Sequence, residues 1–114
     1  MSMWYSASLL FLAEHVGHAT KEPLWEEQIV LINAEDESGA ERKAKVQGKA
    51  QEHEYHNDKG QLVRWVFKHV ERVYPIEVPV FEDGAELFSR FLRDSEVRSL
   101  LVPFDEQPEM QESP

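Results

Sequence analysis

Apolar residues alternate one by one in three separate stretches of this chain, and only one stretch between them follows a helical period. That pattern points to an α+β domain built on a sheet. In residues 3–13, Met3, Tyr5, Ala7, Leu9 and Phe11 fall on one side and Trp4, Ser6, Ser8, Leu10 and Leu12 on the other. Both sides turn apolar toward the end of the stretch, as expected of a strand inside the sheet. Residues 24–33 repeat the pattern, with Trp25, Ile29 and Leu31 opposed to Leu24, Val30 and Ile32. Residues 14–23 hold Gly17 and Pro23 without periodicity and read as a loop. Consecutive strands joined by such a loop are expected to pair antiparallel.

The period changes at Ser38-Gly39-Ala40-Glu41, which has the spacing of a capping box. The residues after it favour helix. Ala40, Ala44, Val46 and Ala50 form a thin apolar stripe that would let the helix lie close on the sheet. Gly48 is expected to weaken the helix by about 1 kcal/mol relative to Ala. Asn57-Asp58-Lys59-Gly60 is a hairpin turn between residues 53–57 and 61–74. In the long second arm, strict alternation puts Val63, Trp65, Phe67, His69 and Val73 on the core side. Leu62, Val66, Val70 and Tyr74 then share the other side with Arg64, Lys68 and Arg72.

Pro75 and Pro79 interrupt or divert the chain, and Glu82-Asp83-Gly84 is a further turn. Residues 85–92 alternate as a strand would, although a helix is also compatible. A short helix capped by Asp94 or Ser95 runs to Leu101. Residues 103–114, with three prolines and four acidic residues, read as a disordered tail. The expectation is one domain over residues 1–102. It has a small, mostly antiparallel sheet of four to five strands in the order β-β-α-β-β-(β)-α. One main helix packs on one face, and a short helix closes the chain.

Composition narrows the function. With 22 acidic against 12 basic residues the formal net charge is −10. Nucleic-acid affinity comes largely from Lys and Arg on phosphates, so neither nucleic acid nor an anionic membrane is an expected partner. Acidity suits solubility, or steering toward a basic partner. The absence of cysteine excludes disulfides, thiolate metal sites and a cysteine nucleophile. The apolar run Leu9–Ala13 lacks a basic flank and ends at Glu14, so no signal peptide or membrane span is expected and the cytoplasm is the default compartment.

No motif assembles a catalytic set. His53 and His56 are three apart rather than four, and on a strand they point to opposite faces, so no metal site is expected. Adjacent Glu26 and Glu27 likewise face opposite ways, and a salt bridge to Arg64 or Arg90 is the plainer expectation. There is no nucleophile elbow around Ser89, and no glycine-rich phosphate loop that would hold a cofactor. Trp4, Trp25 and Trp65 read as core and interface residues.

Five stretches occur in a telling order. They are Trp4-Tyr5-Ser6-Ala7, Trp25-Glu26-Glu27 ahead of Ile29-Val30-Leu31, the Ala-rich helix, Val63-Arg64-Trp65-Val66-Phe67, and Asp83-Gly84-x-Glu86-x-Phe88-Ser89-Arg90. Together, across roughly residues 3–101, they resemble a family of small bacterial proteins catalogued as domain of unknown function 4288. The resemblance implies a bacterial origin and a stand-alone α+β domain, and it carries no activity.

The leading expectation is therefore a non-enzymatic protein-interaction module, with an immunity-type antagonist of a basic partner as one concrete form. The alternative is a small-molecule binder or small enzyme with a pocket on the sheet. It would use Glu26 or Glu27, Trp65 and Arg90, the arginine fork taking a carboxylate or phosphate. A sheet this small leaves edges to protect, so a homodimer through an edge or through the aromatic face is expected.

Overall fold

The computed structural model describes residues 2–17, 22–77 and 82–102. Its elements are strand β1 (Met3–His15), strand β2 (Trp25–Ala34), helix α1 (Glu37–Ala50), strand β3 (His53–His56), strand β4 (Leu62–Ile76) and helix α2 (Asp94–Leu101). The strands form one antiparallel sheet in the order β2-β1-β4-β3. The doubly apolar β1 is thus central, as its sequence requires. The fold is α+β, as expected, with α1 on one face. No described helix is long and apolar enough to cross a membrane. The proposed tail, and Pro79, lie outside the described residues.

The core lies between α1 and one sheet face. Tyr5, Ala7, Leu9 and Phe11 of β1 are buried against Ile32, Ala34, Ala40 and Ala44, with Val30, Trp65, Phe67, Val70 and Val73 packed around them. The N-cap lies two residues before the expected one. Asp36 is the N-cap, and its Oδ1 accepts from the Gly39 N–H at 2.7 Å. A carboxylate accepts more strongly than a hydroxyl at the positive end of a helix. Ser38 instead accepts from Arg42 Nη1 at 3.0 Å.

The buried stripe of α1 is Ala40, Ala44 and Gly48, while Val46 is 71% exposed. These three recur every fourth residue and so form one line along the helix. A Cβ on Gly48 would lie inside the Phe67 ring. Gly48 therefore lies where helix and sheet approach too closely for a side chain. Beyond it, Glu52 Oε2 accepts from the Phe67 backbone N–H at 2.9 Å.

The register of β4 departs from strict alternation. Its pairing with β1 shifts between Ser8 and Leu9 and again between Leu10 and Phe11, leaving Glu71 and Lys68 as extra residues. Each bulge reverses the facing of the residues beyond it. Val70, opposite Leu9, therefore joins the core side, and His69, opposite Leu10, moves to the outer side. Strict alternation places both on the contrary sides. The second bulge restores the original facing for Phe67, Trp65 and Val63. Pro75 does not end β4, which continues to Ile76. Because β3 pairs only with Leu62–Trp65, the later part of β4 is an edge, where proline is tolerated.

Candidate functional interface

The sheet face away from α1 carries the even residues of β1, the odd residues of β2 and, from β4, Val66, His69, Arg72 and Tyr74. A turn at Gly84, with φ +84°, delivers residues 85–93 across this face. They form neither strand nor helix. They do not pair as the strand their alternation suggests, and they lie over the face of the sheet instead of beside its edge. Side chains therefore meet their backbone where a strand ladder would have been.

Those side chains form a clamp. The Ser6 hydroxyl donates to the Leu87 carbonyl at 2.6 Å. Tyr74 donates its phenolic proton to Glu86 Oε2 at 2.6 Å, and Ser89 Oγ donates to the Tyr74 oxygen at 3.3 Å. The Phe88 ring meets Tyr74 edge-on at 5.8 Å. The guanidinium groups of Arg72 and Arg90 sit 5.2 and 6.0 Å from the Phe88 ring centre, within cation–π range. Beside the clamp, the buried Ser8 donates to Glu27 Oε2 at 2.5 Å. This hydroxyl is shut off from solvent, and its hydrogen bond orients the Glu27 carboxylate.

The β2 side of the same face is open. Trp4 is 43% exposed, Trp25 46%, Ile29 50% and Leu31 50%. Cross-strand pairing joins them into one patch, with Trp4 opposite Asn33, Leu31 opposite Ser6, Ile29 opposite Ser8 and Trp25 opposite Leu12. Half-exposed aliphatic and indole groups in a contiguous group mark a surface built to be covered. Phe91 and, on α2, Leu100 and Leu101 are also exposed. Among the described residues, α2 packs against no strand and not against α1.

The four residues expected at a ligand site divide between the two faces. Trp65, opposite Ala13, packs with the core on the α1 side. Glu26 shares that side by alternation and accepts from Gln28 Nε2 at 3.1 Å. Glu27 stands on the outer face with Ser8, and Arg90 lies on the crossing segment over Phe88. Arg64 pairs with Glu54 across the β3–β4 hairpin at 3.2 Å, not with Glu26 or Glu27. His53 and His56 are both exposed on β3, and no described group of three His, Asp or Glu side chains could hold a metal.

Sequence alone does not single out Ser8, Arg72 and Tyr74 as site residues. The available signal is the pair Ser6 and Ser8, two small hydroxyls on one side of an otherwise apolar strand. The stretches Trp4–Ala7, Trp25–Glu27 and Asp83–Arg90, read from sequence as family markers, contribute to this same outer face. Comparison with curated proteins and with solved structures returns no match. A family model does match, over residues 4–89, ending before α2. The chain belongs to the DUF4288 family, a domain of unknown function.

Proposed function

We propose that this protein is a non-enzymatic interaction module that binds another protein through the outer sheet face. The observation behind this reading is the patch of Trp4, Trp25, Ile29 and Leu31 beside a clamp whose polar groups are engaged with one another. Tryptophan is enriched among residues that dominate binding energy, because it buries a large area with few rotatable bonds. A chain of net charge −10 attracts a basic partner at long range, and the apolar patch then supplies the short-range contact. An acidic antagonist that covers a basic toxin is one form such a pair takes.

The test is a photo-crosslinking amino acid placed at Leu31 in the native host, with a control at Lys45 on the far side of α1. A single heterologous protein of high isoelectric point, captured at position 31 and absent at 45, is the expected result. Equal capture at both positions, or no heterologous adduct at either, overturns the reading.

A further inference from the structure

Among the described residues the β2 edge is unprotected from Gln28 to Ile32, and we infer that it pairs with the same edge of a second copy. Backbone polarity along β2 follows from two hydrogen bonds. Leu24 C=O accepts from Ala13 N–H at 2.9 Å and so points toward β1, while Asn33 C=O accepts from Lys43 Nζ at 2.6 Å on α1. In an antiparallel strand the N–H and C=O of one residue point the same way, and neighbours alternate. Even residues of β2 therefore bond β1. Trp25, Glu27, Ile29 and Leu31 aim their backbone groups outward, where the sheet ends.

The opposite edge shows what protection looks like. There β3 is four residues long and carries the Glu54–Arg64 pair. Beyond it β4 has two bulges and Pro75, and Glu52 occupies the Phe67 N–H. Short strands, charge, bulges and proline are the devices that stop edge pairing. The β2 edge has none of them between Gln28 and Ile32. That run, Gln-Ile-Val-Leu-Ile, is uncharged, and its pairing with β1 shows no register shift.

The occupant is a second copy because the edge complements itself. A two-fold axis at Val30 sets Ile29 opposite Leu31 of the partner, and Glu27 opposite Asn33. An axis at Glu27 would instead stack two carboxylates, which is destabilising. The Val30 register also sets Glu26 opposite the partner's Ala34, on the α1 side. There an open notch of about 410 Å³, lined by Ile32, Asn33, Arg42, Lys43, Val46 and Gln47, flanks the edge. The carboxylate of Glu26 thus meets Arg42 and Lys43, and the exposed Val46 is covered. The result is an eight-stranded antiparallel sheet with the two outer patches side by side. The interaction is independent of the heterologous partner proposed above.

Light scattering at micromolar concentration is expected to give twice the 13.3 kDa chain mass. The chain has no cysteine, so Val30→Cys reports on the axis alone. A non-hydrogen-bonded antiparallel pair has Cα atoms about 4.5 Å apart, within disulfide reach, so oxidation yields a covalent dimer. Ile29→Lys with Leu31→Lys places like charges opposite each other and gives a monomer, and Ile29→Lys with Leu31→Glu restores the dimer. Both positions are half-exposed, and circular dichroism confirms that each variant is folded. A monomeric wild type, a dimer that survives the double lysine, a Val30→Cys chain that fails to crosslink, or a Lys–Glu variant that stays monomeric overturns the proposal. A self-adduct without a foreign protein in the host experiment would remove the heterologous reading and leave this one standing.

Discussion

Gly48 shows how a residue's meaning depends on what faces it. In sequence it is a weak point in a helix, worth about 1 kcal/mol against alanine. In the fold it is the hole that the Phe67 ring fills. Gly48→Ala gains propensity and loses packing, and forcing a methyl into a close-packed contact costs about 1–3 kcal/mol. The added methyl meets an aromatic ring held in the core beside Phe11, so packing wins. The expected outcome is a lower urea midpoint for Gly48→Ala. An unchanged or higher midpoint would show that α1 and β4 can separate at little cost. Ser38 teaches the same lesson in the other direction. The capping-box spacing is sound, yet Asp36 upstream offers the charged acceptor and takes the role.

At the scale of elements, the strands and both helices were legible because each follows its own period over eight residues or more, or is set by a hairpin turn. Residues 85–93 were not, because alternation fixes extension and says nothing about what the backbone meets. Here it meets the side chains of Ser6 and Arg72, which donate to the Leu87 and Ser89 carbonyls, while Tyr74 holds the Glu86 and Ser89 side chains. A segment held by side chains can release without unfolding the sheet. Ser6→Ala combined with Tyr74→Phe removes three of its hydrogen bonds. Proteolytic cleavage within residues 85–90 is expected to speed up, while amide protection along β1 stays unchanged. Loss of β1 protection as well would mean that the clamp is part of the core. The bulges at Lys68 and Glu71 were equally hidden. An unbroken alternating run carries no mark of a skipped residue, and it assigned His69 and Val70 to the wrong sides.

Across the molecule, α2 has the fewest ties of the described elements. It packs on no other element among the described residues, and its ion pair Arg98–Asp94 is an exposed contact between successive helical turns. Such pairs contribute only about 0–1 kcal/mol. Ending the chain after Arg93 is therefore expected to leave the thermal midpoint essentially unchanged, as scanning calorimetry would read it. A clear drop would show that α2 docks on the body in solution. By itself the sequence determined the α+β class, the order of the four strands and two helices, the central place of β1 and the family, and it left a fifth strand open. Those are consequences of period, turn chemistry and local order along the chain. Only the tertiary structure decided which faces stay open. Alternation already set Glu26 and Glu27 on opposite faces, but only strand pairing and the crossing segment parted Trp65 from Arg90, covered one half of the outer face and left the other half open. Which surface is buried depends on residues far apart in the chain, and no local pattern records that.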